Sequence, residues 1–181
     1  MDTNRWRPDG VEVSIAALIE LVEEAAPPLA AHMVRTRRLA RLLALELGLS
    51  GALLELVVRT ARVHDVGKLA VPDLVHAHPV AGQKFLERKP SLLTLGPIVR
   101  ATHERWDGTG YPDGLKGSAI PLPARIVSIC DAFDAMTNPL DGEAPMHVDA
   151  ALEELDRDSG TRFDPAVVEP FRDLVTRNDV D

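Results

Sequence analysis

Apolar residues recur at helical spacing along most of the chain, and stretches that alternate apolar and polar residues are essentially missing. This pattern predicts an all-α fold. Prolines in first turns, serine or aspartate caps and terminal glycines mark where the helices begin and end. The predicted helices are 11–26, Pro27 to Gly48, Ser50 toward His64, 79–86, 91–104 with a disturbance at Gly96 and Pro97, 121–137, 147–156 and 165–177, the last capped by Asp164.

The helical pattern stops between Arg105 and Pro123. This segment, RWDGTGYPDGLKGSAIPLP, contains too many glycines and prolines for a helix interior. We therefore expect a long exposed loop whose two ends are pinned by the flanking helices. Long loops inside compact domains are usually either functional or disordered. The pinned ends favour a functional loop.

Length and charge narrow the possible functions. The 181 residues suit one domain, and 28 acidic against 20 basic side chains give a formal net charge of −8. That balance argues against DNA and against an anionic membrane surface, because binding phosphates needs a basic face. The basic run at 35–41 is interpreted as a solvated helix face.

The expected compartment is the cytoplasm. Every apolar run is broken by charges before it reaches the length that crosses a bilayer. The N-terminal residues lack the pattern of a secretory signal. The single cysteine, Cys130, fits a reducing environment.

The histidines suggest metal chemistry, because five of the six fall within 32–103. Histidine and carboxylate together suit transition metals such as Fe, Mn, Zn or Ni. In HDVGK at 64–68, Asp65 could bridge two ions with its two oxygens while His64 binds one. Lys68 would share a face with His64 if the helix continues that far. A histidine beside an aspartate also occurs by chance, so the pair alone leaves a structural role open.

Five stretches of the sequence together resemble the HD-GYP family, a branch of the HD phosphohydrolases. They are HDVGK at 64–68, HPVAG at 78–82, HERWDGTGYPDGLKG at 103–117, IPLPARIVSICDAFDAMT at 120–137 and GTRFDPAVVEPF at 160–171. The resemblance implies an HD-domain helical bundle over 27–181 with a long GYP loop, preceded by an N-terminal extension or helix over 1–26. It also implies hydrolysis of the bacterial messenger cyclic di-GMP to a linear dinucleotide or to GMP.

The resemblance also implies roles for individual residues. One or two divalent transition-metal ions, Fe or Mn, would be held by His32, His64, Asp65, His78, His103 and Asp131. Asp65 would bridge the ions, and Lys68 would assist phosphodiester cleavage. The substrate would contact Arg35, Gly110, Tyr111 and Pro112. The Tyr111 ring would stack on a guanine base, and the alternative is a packing role that fixes the loop.

Several nearby residues are expected to play supporting roles. Glu104, Asp107 and Asp134 are candidates for holding the metal-bound histidines or the loop in place. Cys130 is expected to be packed on its helix, and His147 is expected to lie on the surface.

The sequence departs from the family pattern at four places. Thr102 replaces the first of two consecutive histidines, so one metal site loses a ligand. Pro28 stands where members with three metals have a glutamate, which argues against a third ion. The stretch before His78 is shortened, so His76 is an alternative ligand. The segment after Thr137 reads NPLDGEAP and lacks the two basic residues that contact the ligand in the family.

These departures leave three functions open. The first is a metal-dependent phosphodiesterase acting on cyclic di-GMP, with a weak second metal site and slow turnover because of Thr102. The second is a catalytically degenerate module that binds a nucleotide or a partner protein in bacterial signalling. The third is an HD-superfamily hydrolase of another phosphate ester, such as a mononucleotide or a different cyclic dinucleotide.

Overall fold

The computed structural model describes residues 15–72, 74, 76–140 and 142–178. Within these residues the secondary structure is helical, with one isolated β-bridge between Ser159 and Phe163. The α-helices are α1 (Ile15–Ala25), α2 (Pro27–Glu46), α3 (Gly51–Val63), α4 (His78–Leu86), α5 (Gly96–Arg100), α6 (Leu122–Thr137), α7 (Val148–Arg157) and α8 (Pro165–Asn178). Short 3-10 helices cover Val66–Leu69, Pro90–Leu92 and Gly117–Ala119. The predicted all-α fold is confirmed.

Most predicted helices are present close to their expected bounds, but the one over 91–104 is wrong. The chain there forms the 3-10 turn Pro90–Leu92 and then the five-residue helix α5. Pro97 lies in the first turn of α5, where its missing N–H costs no hydrogen bond, so it starts a new helix. Of the first predicted helix, residues 11–14 lie outside the described residues.

The two predicted caps have different outcomes. Asp164 caps α8, because its Oδ1 accepts a hydrogen bond from the backbone N–H of Ala166 at 3.0 Å. Ser50 precedes α3 in an extended conformation, but its side chain makes no capping hydrogen bond.

Four buried apolar clusters hold the described helices together, and the two largest meet at the end of α3. The main core lies among α2, α3, α6, α7 and α8 and contains Ala61 and the buried thiol of Cys130, as expected for that residue. A second cluster packs α1 against α4, α5 and Val63 at the end of α3. Because α3 contributes to both clusters, its C-terminal end is fixed where they meet. His64 and Asp65 follow directly at that point.

The first helix belongs to this packing. Leu18 and Val22 on α1 are fully buried, and α1 packs against α2 and α3. The proposed division between 1–26 and 27–181 stays a prediction. Among the described residues, no helix combines the length and the apolar character needed to cross a membrane.

The segment between Arg105 and Pro121, here called the GYP loop, is less exposed than expected. Most of its residues are half-buried. At its base, the backbone N–H groups of Trp106 and Asp107 donate to the carbonyls of Arg162 and Thr161, at 3.1 and 2.8 Å. The loop therefore rests on the turn before α8, in addition to being held at its two ends.

Two charged side chains hold the tip of the loop. The buried Glu104 carboxylate accepts hydrogen bonds from the backbone N–H groups of Asp113 and Leu115, at 2.7 and 3.0 Å. Arg100 donates two hydrogen bonds of 2.6 Å each to the Asp113 carboxylate. Glu104 thus holds the loop, as the sequence suggested. A Cβ on Gly110 would lie 2.3 Å from the backbone nitrogen of Arg105, so only glycine allows the loop to fold back this closely.

Candidate metal centre

Six side chains from separate parts of the chain converge in the interior. They project from α2, from the turn after α3, from the first residue of α4, from the turn after α5 and from α6. Their ligand atoms form two groups, each with atoms within 4.8 Å of one another: His32, His64, Asp65 and Asp131, and Asp65, His78 and His103. All six residues that the resemblance implied as metal ligands are therefore brought together, and Asp65 belongs to both groups.

The first group pairs two imidazoles with two carboxylates. His32 Nε2 lies 3.0 Å from Asp131 Oδ1 and 3.7 Å from Asp65 Oδ2. His64 Nε2 lies 3.5 Å from each of the same two oxygens. Only Asp131 among the four is partly exposed, at 16% of its side chain. The group is therefore nearly enclosed, with its open side at Asp131.

The second group contains one carboxylate and two imidazoles. His78 Nε2 lies 3.3 Å from Asp65 Oδ1 and 2.8 Å from His103 Nε2. The two groups therefore use different oxygens of Asp65, since the first group approaches Oδ2. A carboxylate that presents one oxygen to each group has the arrangement that a bridging ligand requires.

The Nδ1 atoms of two histidines are already engaged away from the centre. His64 Nδ1 donates to the Ala61 carbonyl at 3.0 Å, and His32 Nδ1 lies 2.6 Å from Asp134 Oδ2. A carbonyl can only accept, so His64 carries a proton on Nδ1, and Nε2 is the nitrogen that faces the centre. This is the tautomer and orientation that a metal-binding histidine needs.

Asp134 links this arrangement to Arg35. Arg35 Nε donates to Asp134 Oδ1 at 2.6 Å, and Arg35 Nη2 donates to Oδ2 at 3.0 Å. The sequence suggested that Asp134 holds a histidine, and the hydrogen bond to His32 shows this contact. Arg35 was expected to contact substrate, and the structure places part of its guanidinium on Asp134.

The residues present fit a metal ion on two observations. His64 Nε2 and Asp65 Oδ1 are buried and make no hydrogen bond, and buried polar atoms without partners are costly unless another group satisfies them. The donors are imidazole nitrogens and carboxylate oxygens, a set that suits Fe, Mn or Zn. The cluster can thus hold a divalent metal.

The charges in the cluster shift its pKa values strongly. Burial disfavours the charged form of His32, but hydrogen bonds with Asp131 and Asp134 outweigh burial and raise its pKa to about 9. Burial dominates at His103 and lowers its pKa to about 4, which keeps this imidazole neutral. Burial also opposes the charge of Asp65, but His64, His78 and Lys68 hold its pKa well below the usual range.

Lys68 lies next to the centre, but its position relative to His64 differs from the one expected. The helix ends at Val63, and the chain continues into the 3-10 turn Val66–Leu69. Lys68 therefore does not lie one α-helical turn after His64. Its ammonium instead pairs directly with Asp65 Oδ2, and 36% of its side chain is exposed. The lysine lies at the edge of the shared carboxylate, where it can meet a substrate.

Tyr111 packs against one of the candidate ligands. Its ring is stacked on His103, with ring centres 5.3 Å apart and planes within 1° of parallel. His76 packs edge-to-face against the same tyrosine at 4.5 Å. His78, and not the exposed His76, is the histidine beside Asp65. The bond between Tyr111 and Pro112 is cis.

The threonine that replaces a family histidine takes no part in either group. Thr102 is buried, and its hydroxyl donates to the Val99 carbonyl at 2.9 Å.

Sequence reasoning missed three contacts: the ion pair between Arg100 and Asp113, the stacking of Tyr111 on His103, and the ion pair between Arg35 and Asp134. Each joins residues that are not neighbours in sequence, and no local motif indicates it. His147 is exposed as expected and also caps α7, accepting from the backbone N–H of Asp149 at 3.4 Å.

Comparison with known proteins identifies the family of the chain. The family model of the HD domain matches residues 73–167. The cyclic di-GMP phosphodiesterase response regulator RpfG of Xanthomonas campestris is 34% identical over 173 residues, covering 86% of this chain and 46% of the relative. The 3'3'-cGAMP-specific phosphodiesterase 2 of Vibrio cholerae is 32% identical over 169 residues, covering 84% of this chain and 32% of the relative.

A solved structure shows the same fold. The crystal structure of a cyclic GMP-AMP specific phosphodiesterase of Vibrio cholerae, V-cGAP3, matches with a TM-score of 0.71 at 20% identity, covering 93% of this chain and 48% of that one. The chain thus spans less than half the length of these relatives. The family model and the curated relatives confirm the resemblance stated from sequence: the chain belongs to the HD domain family, in its HD-GYP branch.

Proposed function

We propose that this chain is a metal-dependent phosphodiesterase that hydrolyses cyclic dinucleotides. The observation that carries the proposal is the pair of donor groups that share Asp65. Two ions bound side by side on a shared carboxylate are typical of enzymes that cleave phosphate esters. Relatives named as cyclic di-GMP and 3'3'-cGAMP phosphodiesterases support the substrate class.

The ligand assignment follows the two groups. His32, His64, Asp65 and Asp131 would hold one ion, and Asp65, His78 and His103 would hold the second. We propose Fe or Mn, since both accept mixed imidazole and carboxylate ligands. When bound, such ions neutralise phosphate oxygens and activate water for attack on phosphorus.

The residues around the centre would position the substrate and handle its charge. Lys68, paired with Asp65 and partly exposed, would stabilise the negative charge on the leaving oxygen. The GYP loop, held by Glu104 and Arg100, would cover one side of the substrate with Gly110, Tyr111 and Pro112. Because the Tyr111 ring is already stacked on His103, we propose that it holds this imidazole in place as well as contacting a base.

The second ion should bind more weakly than the first. Its group has three donors, whereas the first has four. Thr102 cannot add a fourth from its present position, because its hydroxyl points to the Val99 carbonyl. We therefore expect the second site to fill only at raised metal concentration, with slow turnover as the result.

The test loads the purified protein with Fe or Mn under anaerobic conditions. The metal content is counted, and the products from cyclic di-GMP and 3'3'-cGAMP are separated by chromatography. We expect conversion of at least one of them to a linear dinucleotide, and loss of conversion and of bound metal in Asp65→Asn. A loaded protein that cleaves neither nucleotide would refute the proposal. Two tightly bound ions in protein as purified would contradict the weak second site.

A nucleotide-binding module is the second candidate, and the geometry of Thr102 favours it. If the second ion does not bind, the fold and one ion can still hold a cyclic dinucleotide without cleaving it. Calorimetry with cyclic di-GMP on the loaded protein separates the two candidates. Binding without product supports the module, and binding followed by product supports the enzyme.

A further inference from the structure

Arg125, near the start of α6, lies where the GYP loop meets the turn before α8. Its Nε donates to the carbonyl of Ile120, at the end of the loop, at 3.0 Å. Its guanidinium also lies over the ring of Trp106, at the start of the loop, 5.7 Å from the ring centre. That separation is within the range of cation–π contacts. One side chain of α6 therefore contacts both ends of the loop.

The same guanidinium is attached to the start of α8. Arg125 Nη1 donates to Asp164 Oδ2 at 2.5 Å, and only 18% and 3% of the two side chains are exposed. The other oxygen of Asp164 caps α8. A hydrogen bond between two charged groups is roughly twice as strong as one between neutral groups. Arg125 thus joins α6, the GYP loop and α8 in one arrangement.

The space around this junction is too small for a ligand. A cavity of about 10 Å³ lies among Arg125, Trp106, Asp164 and the buried Glu104. One water molecule needs about this volume, whereas small-molecule sites occupy roughly 300–1,000 Å³. The charged groups gathered here therefore hold segments of the protein together.

The junction is connected to the candidate metal centre through α6. Asp131 lies six residues after Arg125 on this helix, about 9 Å away at 1.5 Å per residue. The loop, in turn, carries Tyr111, whose ring is stacked on His103. Because the helix is a rigid spacer over this distance, a loop attached to Arg125 keeps Tyr111 at a constant position relative to Asp131.

We infer that Arg125 is a positioning residue of the phosphodiesterase, which fixes the GYP loop, and with it Tyr111, relative to the metal centre. The inference rests on the proposed function and adds a residue that acts through the loop. Arg125→Gln removes the ion pair with Asp164 and the cation over Trp106, so the loop loses its fixed position. A displacement of about 1 Å in a group that positions the substrate can lower the rate by about 100-fold.

The first experiment observes Tyr111 directly, because it is the only tyrosine in the chain. Protein labelled with fluorotyrosine gives one fluorine NMR signal, whose chemical shift reports how the ring lies on His103. We expect Arg125→Gln to shift or broaden this signal. Arg125→Lys should restore it only in part, since lysine keeps the charge but lacks the planar guanidinium. Arg172→Gln is the matched control, because Arg172 on α8 forms the same kind of pair with Asp156 at the surface.

The second experiment compares two substrates on the metal-loaded chain. Cyclic di-GMP is large enough to contact the loop, whereas bis(p-nitrophenyl) phosphate needs only the metal centre. We expect Arg125→Gln to lower the ratio of kcat/KM for cyclic di-GMP to kcat/KM for the small diester by about 10- to 100-fold. Asp164→Asn should lower it by a smaller factor, since asparagine still caps α8 but carries no charge to pair with Arg125. This variant tests the inference even if Arg125→Gln does not fold.

The outcomes separate this inference from the proposed function. If the fluorine signals of Arg125→Gln and Asp164→Asn match the parent, or if Arg172→Gln shifts the signal equally, the inference is overturned while the phosphodiesterase stands. A shifted signal with an unchanged substrate ratio also overturns it, because the position of the loop then does not matter for the reaction. If the parent protein cleaves neither substrate, the proposed function fails, and the fluorine signal alone decides whether Arg125 positions the loop.

Discussion

Asp134 positions the His32 ring at the candidate metal centre. Its carboxylate lies 2.6 Å from His32 Nδ1 and also receives two donors from Arg35. The carboxylate fixes the ring, and the arginine fixes the carboxylate. Such partners of metal-binding histidines usually matter for affinity almost as much as the ligands themselves.

We expect Asp134→Asn to weaken metal binding by about 10- to 100-fold. The neutral amide does not stabilise a positive charge on the His32 ring, and it does not orient the ring in the same way. Metal titration followed by calorimetry measures the change. Asp149→Asn is the control, since Asp149 lies on the surface beside His147 and far along the chain from the ligands. Equal affinities in the two variants would show that Asp134 does not position His32.

The raised pKa of His32 predicts how the metal-free protein responds to pH. A histidine whose folded pKa is raised from 6.5 to about 9 adds stability below 6.5, and that stability is lost as pH rises through 9. The free energy of unfolding should therefore fall by up to about 3 kcal/mol between pH 6.5 and 9. Urea denaturation with a chelator present measures it. His32→Gln should flatten this slope and His147→Gln should not, and a flat profile in the parent chain would contradict the prediction.

The candidate ligands could be predicted from sequence, but the contacts that hold them in place could only partly be predicted. HDVGK, the histidine of HPVAG and the aspartate in ICDAF contain four of the six candidate ligands in local motifs, and the structure brings all six together. The stacking of Tyr111 on His103 and the grip of Arg35 on Asp134 depend on how distant segments pack. Local spacing contains no information about such contacts, so they were missed.

At the scale of elements, the 3-10 turn after α3 and the first turn of α4 approach each other unusually closely. A Cβ on Gly67 would lie 2.0 Å from the His78 carbonyl oxygen and 2.6 Å from the Gly82 nitrogen. This approach brings His78 against Asp65. The glycine in HDVGK is therefore needed to bring the two elements of the second donor group together.

We expect Gly67→Ala to lower the free energy of unfolding by at least about 1–3 kcal/mol, since the two backbones must separate. The same separation should weaken the second metal site, because His78 moves away from Asp65. Denaturation in urea and metal counting measure the two effects. Gly96→Ala is the control, because the closest contacts of its new Cβ would be the flexible side chains of Glu87 and Gln83, at 3.1 and 3.3 Å. The nearest backbone atom of another element, the Gln83 carbonyl oxygen, lies at an ordinary contact distance of 3.5 Å. Two variants of equal stability would contradict the proposed close contact.

The helices could be predicted where the apolar periodicity extends over several turns. The prediction failed where the helical segment is short. α2, α3 and α6 have 20, 13 and 16 residues, enough turns to fix a period. Residues 91–104 contain only scattered apolar positions around Gly96 and Pro97, and there the chain forms turns and one short helix. The GYP loop was correctly placed, but its burial depends on Glu104 and Arg100 and was not visible in composition.

At the scale of the molecule, the centre joins parts of the chain that the two largest apolar clusters hold separately. The candidate ligands come from α2, α4 and α6 and from the turns after α3 and α5. Ions bound in both donor groups would share Asp65 and so link the two clusters. An ion that binds only the folded state stabilises it by mass action. Metal affinity and thermal stability should therefore change together.

Metal loading should raise the Tm in two steps, one for each donor group. Variants of the candidate ligands can separate the two steps. At a free metal concentration near 100 times the Kd, one site adds about 2.7 kcal/mol, which corresponds to roughly 5–10 °C for a domain of this size. Asp65→Asn should abolish the rise, because Asp65 belongs to both groups, whereas His103→Gln should remove only the part that appears at high metal. Scanning calorimetry across a Mn titration measures both steps, with Lys84→Ala as a variant outside the centre. If Asp65→Asn and His103→Gln respond alike, the two donor groups do not act as separate sites, and Asp65 is not shared between two ions.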